Sequence, residues 1–297
     1  MRVKNGPAMK LPDFEYAAPT SLSDAIALLA SRRGSAKPLA GGQSLLPAMA
    51  FRLATPALLV DLRNIPALDR IEIDDDEVRL GARVRWCDIE RDTRLATAHP
   101  LLSAAIQHVA HYPIRNRGTV GGSLCHADPA AELPGVAVTC DARIELEGPG
   151  GRRVMDAGDF LLGPLSTAIA ADELLVRICL PAWPAGRRWA FDELARRRGD
   201  FAMAGVALYY DVDASGRARN AHIGVIGANP RPCRLTAAEA QLNGSRLNHE
   251  TIRAAADAAA REVDPPADLH ASAAYRRALV ATLLERCLQR TSPDQRP

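Results

Sequence analysis

At 297 residues the chain has length for about two domains with well-buried cores, which excludes a peptide or a disulfide mini-scaffold. Its 37 basic and 35 acidic residues leave a net charge of +2 with the two signs interspersed, so no footprint for a nucleic-acid backbone is present. The apolar fraction is 47%, and no run approaches the ~18 apolar residues of a membrane helix; the stretch from Phe201 to Tyr210 is too short.

The chain opens MRVKNGPAMKLPDF, basic but without the apolar core of a signal peptide, so a cytoplasmic location is expected. Ser21-Leu-Ser-Asp24 resembles a capping box, and Leu22, Ile26 and Leu29 recur at helical spacing until Gly34, predicting a helix over about 22–32. Residues 37–40 read as a strand running into Gly41-Gly42-Gln43-Ser44, followed by a short helix interrupted or started at Pro47. Residues 58–62 form an apolar strand, and Ile71–Ile73 and Glu77–Leu80 flank Asp74-Asp75-Asp76 as a hairpin. Helical patterns return over 86–91 and 100–110. The stretch 114–123 is too rich in glycine for either regular element, which makes it a second glycine turn.

Residues 130–138 are compatible with a helix despite Pro134, 142–147 and 173–180 read as strands, and Gly148-Pro-Gly-Gly151 is a tight turn. Two prolines and a glycine within Pro181–Gly186 mark a linker and the main domain boundary. Beyond it, strands over 190–196, 203–212 and 218–228 precede helices over about 235–241, 249–262 and 272–290, so a small sheet covered by helices is expected. Residues 291–297 are polar and read as a disordered tail.

The six cysteines, at 87, 125, 140, 179, 233 and 287, are never closer than fifteen residues, so no Cys-x-x-Cys pair exists for a zinc ribbon or an iron-sulfur cluster. Cys125, His126 and Asp128 are close in sequence but read as turn-shaping residues. His108 and His111 lack the further ligands of a zinc site and read as a solvated helix end.

The glycine turns carry the chemistry. Neither ends in Gly-Lys-Ser/Thr nor matches Gly-x-Gly-x-x-Gly, so the two commonest nucleotide loops are excluded. Each has a Gly-Gly pair followed by small polar residues, which lets the backbone approach a ligand and turn N–H groups toward an anion without a lysine. A diphosphate clamped between them would gain Ser44, Thr119 and Ser123 hydroxyls as donors. Either turn taken alone is equally compatible with a plain tight turn.

Three stretches, AGGQSLLPAMAFRL from Ala40, IRNRGTVGGSLCHADPAAELP from Ile114 and FDELARRRGDFAMAGVAL from Phe191, resemble the signatures of the FAD-binding medium subunit of the molybdenum hydroxylases. This family includes the middle subunit of aerobic carbon monoxide dehydrogenase and the flavin domain of xanthine dehydrogenase. The resemblance implies an α+β chain: a vanillyl-alcohol-oxidase (PCMH)-type FAD domain over 1–182, divided into subdomains of about 1–57 and 58–182, then a C-terminal domain over 187–290 with a three-stranded antiparallel sheet and helices.

By position, the resemblance places Leu39, Ala40, Gly41, Gly42, Gln43, Ser44 and Leu45 on one side of the FAD pyrophosphate and Thr119, Val120, Gly121, Gly122 and Ser123 on the other. Glu132 stands where the family has Asp toward the flavin end, Ser123 where Asn is frequent, and Leu175 and Phe191 match apolar contacts of the ring. Xanthine dehydrogenase has a lysine where this chain has Asp192, so an ammonium is absent at that position. Arg196 and Arg197 match basic residues read as a structural ion pair or a partner-facing patch.

The implied function is electron transfer through FAD in a heterotrimer or a dimer of heterotrimers. A large subunit would hold molybdopterin, and a small iron-sulfur subunit would hold two 2Fe-2S clusters. A self-sufficient flavin dehydrogenase or oxidase of the same superfold and a flavin-free scaffold are the competing readings.

Overall fold

The computed structural model describes residues 11–32 and 34–292; the N-terminal segment read above and most of the tail lie outside the described residues. β1 (Glu15–Ala17), α1 (Leu22–Ser31), β2 (Ala36–Leu39), α2 (Leu45–Ala50) and β3 (Leu58–Asp61) come first. Their strands make a parallel sheet in the order β1-β3-β2, with β3 buried throughout at its centre. The subdomain division expected at 57/58 is therefore corrected, because β3 belongs to the first sheet. α1 begins as its pattern requires: the Asp24 N–H donates to Ser21 Oγ at 3.1 Å, and Ala25, Ile26 and Leu29 are buried.

Next come β4 (Ile71–Ile73) and β5 (Glu77–Gly81), followed by α3 (Trp86–Arg91), α4 (Thr93–Ala98), α5 (Pro100–Ile106), α6 (Tyr112–Arg115), α7 (Val120–His126) and α8 (Glu132–Thr139). β6 (Arg143–Gly148), β7 (Gly151–Asp156), α9 (Ala157–Phe160), the small hairpin of β8 (Leu161–Gly163) and β9 (Ser166–Thr167), and β10 (Leu174–Pro181) complete this part. The larger sheet is antiparallel in the order β4-β5-β10-β6-β7.

Two readings of this part are corrected. The stretch 114–123 is not wholly irregular: Tyr112–Arg115 forms one turn, and Val120 starts α7 with Thr119 as its N-cap. α4 was not anticipated, and its start is set by the Asp92 carboxylate, which accepts the Arg94 N–H at 3.0 Å. α8 tolerates Pro134 because the residue lies in the first turn, where the backbone N–H has no intrahelical acceptor.

The last part holds β11 (Arg188–Ala195), β12 (Ala202–Val212) and β13 (Ala218–Ile226), three long antiparallel strands, with the two-residue β14 (Cys233–Arg234) added at the edge. α10 (Thr236–Leu242), α11 (His249–Glu262) and α12 (Ala273–Thr291) follow. The end of the chain departs from the expected tail: Thr291 closes α12, and the buried Ser292 donates its hydroxyl to the Leu247 carbonyl at 3.1 Å. Among the described residues no helix is long and apolar enough to cross a membrane.

β12 explains the apolar run that opens at Phe201. Its side chains alternate between faces: Ala204, Val206, Leu208 and Tyr210 pack under the C-terminal helices, while Ala207 and Tyr209 enter the core shared with α5, α7 and α8. The strand is buried on both sides. The segment read as a linker is packed as well, its Trp183 ring 5.4 Å from Tyr209 and 4.8 Å from His99.

α8 and β13 meet through glycines. A Cβ on Gly135 would overlap the Ile226 side chain, and one on Gly224 would overlap Thr139 Oγ1 and come within 3.4 Å of the Gly135 carbonyl. Thr139 Oγ1 donates to that carbonyl at 2.7 Å, and the Gly227 N–H donates to the Pro129 carbonyl at 2.8 Å. Gly224→Ala is accordingly expected to destabilise by about 1–3 kcal/mol through overpacking, measured by urea unfolding, with Thr139→Ala restoring part of the loss.

Candidate functional site

The first glycine loop leaves β2 and enters α2. Among the described residues no protein acceptor takes the backbone N–H groups of Gly41, Gly42, Gln43, Ser44 or Leu45. Gly42 is left-handed at φ +73°, and the chain turns helical from Ser44. Successive unclaimed N–H groups around such a turn make a concavity that suits an anion. The chemistry of this donor set fits a pyrophosphate, which needs several short donors and no cation in direct contact.

The second loop lies against the first: a Cβ on Gly41 would overlap the Arg117 carbonyl and reach 3.0 Å from Gly118 Cα. From Val120 onward its donors are already engaged. Val120 N–H donates to the Val84 carbonyl (2.9 Å), Gly121 N–H to Ala82 (2.8 Å), Gly122 N–H to Thr119 Oγ1 (3.2 Å) and Ser123 N–H to the Thr119 carbonyl (3.0 Å). The N–H groups of Val120 to Ser123 are thus taken within the protein, and Gly122 is exposed beside Ser123.

The glycines also have a different reason from the one their pairing suggested. Gly41 is small because another backbone passes it, and Gly121 because a Cβ would come within 2.7 Å of Ala82 Cβ. A hydrogen-bonded chain then ties the second loop to β10, since the Ala82 N–H donates to the Val176 carbonyl at 2.8 Å. That strand carries Leu175, 3% exposed, into the same core as Val120 and Leu124.

Glu132 opens α8 and Phe191 lies on β11. Phe191 is 8% exposed, its ring centroid 5.0 Å from that of His108. Glu132 opens α8 at 8% exposure, and burial, with the charges of Glu193 and Asp128, pushes its carboxyl up to about 8. Asp128 itself shapes the turn as read, accepting the Ala130 N–H at 2.9 Å. Asp192 pairs with Arg290 at 3.1 Å, whereas Arg196 and Arg197 are exposed with no carboxylate partner among the described residues, so the ion pair considered for them does not form.

Three residues stand out that the sequence reading passed over or dismissed. Arg117 is exposed beside the first loop. Glu193, two residues after Phe191 on the same strand face, has a side chain only 5% exposed. His108 is not a free helix end, because its Nδ1 lies 3.4 Å from Glu193 Oε1. The alternation of Phe191 and Glu193 along a strand was the available signal for the acid.

Residues 12–183 match the family described as the FAD binding domain in molybdopterin dehydrogenase, and residues 189–291 match the CO dehydrogenase flavoprotein C-terminal domain. The nicotine 6-hydroxylase medium subunit of Paenarthrobacter nicotinovorans is 42% identical over 94% of this chain and 98% of its own length. Carbon monoxide dehydrogenase of Hydrogenophaga pseudoflava, in a form lacking the Mo-pyranopterin moiety, superposes with a TM-score of 0.92 at 38% identity, covering 95% of this chain and 98% of that one. Quinoline 2-oxidoreductase from Pseudomonas putida 86 gives 0.91, also at 38% identity, over 95% and 98%.

Fold and loop together therefore define an FAD-binding flavoprotein subunit of an oxidoreductase. The chain belongs to the FAD-binding medium subunits of the molybdenum hydroxylase family.

Two outcomes follow from the geometry. Gly121→Val acts on the protein's own packing, so its unfolding midpoint in urea is expected to fall by an amount equivalent to about 1–3 kcal/mol with or without flavin. The second concerns pH. Glu132 titrates at 4.5 when unfolded and about 8 when folded, so the folded state alone keeps a proton in that window and stability falls as pH rises across it. His99 runs the other way: burial pulls it from 6.5 to about 4, and stability falls as pH drops through that window. The two effects oppose each other below pH 6.5, and between 6.5 and 8 Glu132 acts alone. The wild-type Tm, followed by circular dichroism, should decline over that last interval, and Glu132→Gln should remove the decline.

Proposed function

We propose that this chain is the electron-transfer subunit of a cytoplasmic heterotrimer, alone or as a dimer of heterotrimers. A large subunit oxidises substrate at molybdopterin, a small subunit carries electrons through two 2Fe-2S clusters, and the FAD held here passes them to an external acceptor. A flavin suits this place because it takes electrons singly or in pairs, while the protein supplies binding and orientation.

The observation that carries the reading is the run of unclaimed N–H groups from Gly41 to Leu45. Leu39 and Ala40 lead into it, with the Ser123 and Thr119 hydroxyls of the second loop as further donors to the pyrophosphate. Glu132 lies toward the ribityl and ring end, with Leu175 and Phe191 as the apolar contacts.

The test is to isolate the tagged chain from its native host, record its visible spectrum and assay FAD, molybdenum and iron. A flavin spectrum with two co-purifying subunits carrying both metals is expected. Flavin on a lone, catalytically active chain would transfer the assignment to a self-sufficient enzyme, and a colourless chain would leave only a scaffold.

A further inference from the structure

The two glycine loops rest on a third layer, the indole of Trp86. Gly41 of the first loop is buried against the backbone of the second, where a Cβ would overlap the Arg117 carbonyl and reach 3.0 Å from Gly118 Cα. Gly118 is buried against Trp86 in its turn. A Cβ on it would stand 2.7 Å from the indole Nε1 and 3.0 Å from Cδ1, with the Ile114 carbonyl next at 3.2 Å. Gly118 is not left-handed, so space rather than backbone conformation excludes a side chain there.

The indole itself is fixed on all counts. Trp86 opens α3, is 4% exposed and packs in the same core as Ile89, Leu101 and Val120. Its N–H donates to the Gly118 carbonyl at 3.3 Å, and the preceding Arg85 pairs with Thr119 in an antiparallel bridge. The Arg85 N–H donates to Asp88 Oδ2 at 3.1 Å, and the Gly118 N–H to the Ile114 carbonyl at 2.7 Å. Residues 85–86 and 118–119 therefore run side by side, joined through their backbones. A ring held in a closely packed interior does not yield as the end of a flexible side chain would.

We propose that Trp86 is a positioning residue for the cofactor. The indole fixes Gly118, the backbone of Arg117 and Gly118 fixes Gly41, and the unclaimed N–H groups that follow Gly41 are thereby held in the arrangement that receives the FAD pyrophosphate. The assignment rests on the first loop being that site, as proposed above. Donors set in place before a ligand arrives lose little freedom when it binds, and this preorganisation adds to affinity. A smaller side chain at position 86 opens a space beside Gly118, the second loop loses its wall, and Gly41 loses its support.

The experiment is a double-mutant cycle on the full chain freed of flavin: Trp86→Leu, Gly118→Ala and the two together, read by the Kd for added FAD from flavin fluorescence and by the flavin-free Tm from circular dichroism. Each single variant is expected to raise the Kd several-fold, Trp86→Leu by opening a space and Gly118→Ala by colliding with the indole. In the double variant the added methyl group enters that space, so the Kd should rise by less than the product of the two single losses. Trp86→Phe, which keeps a ring, should fall between wild type and Trp86→Leu, and it carries the same comparison if Trp86→Leu does not fold. A lowered Tm with wild-type FAD affinity in the Trp86 variants would make the residue merely structural and overturn the proposal, as would single losses that multiply in the double variant. Gly42→Val, in the first loop, separates two kinds of failure. FAD binding untouched by this variant refutes the first loop as the cofactor site, whereas binding weakened by it and unaffected by the Trp86 variants refutes the positioning role alone.

Discussion

The close approach of α8 to the C-terminal sheet is the contact on which the rest of the structure depends. It requires a missing side chain on each partner, Gly135 on the helix and Gly224 on the strand, and it is locked by Thr139 folding its hydroxyl back onto the Gly135 carbonyl. Interiors are packed too tightly to absorb an added methyl group without displacement. This contact makes β12 a strand with two dry faces and carries Phe191, Ala202, Ala207, Tyr209 and Ile226 into the core of the preceding domain. Glu132, in the first turn of α8, feels the charge of Glu193 on β11 besides its own burial.

The glycine loops rely on a second constraint of the same kind. Gly121 sits on Ala82, Ala82 is held by Val176 of β10, and Gly41 sits on the backbone of Arg117 and Gly118. The second loop uses its N–H groups to fasten itself to the scaffold, and so the first loop can leave its own unclaimed. Unpaired backbone donors in a buried loop would cost stability, but Gly42, Gln43 and Ser44 retain access to solvent, so the donors stay hydrated until an anion replaces the water. One loop is a clamp for the other, and the second, rather than the ligand, sets the geometry of the first.

Much of this was legible from residues alone. Ser21 capping α1, the acidic hairpin turn and the apolar strand at β12 are local signals, and the structure follows them. The family resemblance rested on three stretches whose chemistry the glycine pairs already suggested. What was missed depends on contacts distant in sequence. Glycine weakens a helix, yet α7 begins at Val120 because Val84 and Ala82 accept its first N–H groups and Thr119 caps the third. No nearby residue announces those acceptors. β3 looked like the start of a new unit and is instead the centre of the first sheet, since parallel pairing joins strands that are far apart along the chain. Glu193 and His108 gained meaning only when α5 and β11 were brought together.

The same contact accounts for the location of an expensive feature. A carboxyl buried beside another acid disfavours folding at neutral pH, and surface exposure would relieve it at once. Here relief is blocked from both sides: Glu132 is fixed by the first turn of α8, and Glu193 by a strand whose partner at that position is Gly205. A Cβ on Gly205 would stand 3.1 Å from Glu193 Cβ, so the acid has room only because its neighbour has no side chain. The packing that builds this region therefore also keeps Glu132 buried, and the stability it forfeits is carried by the extensive apolar core around it.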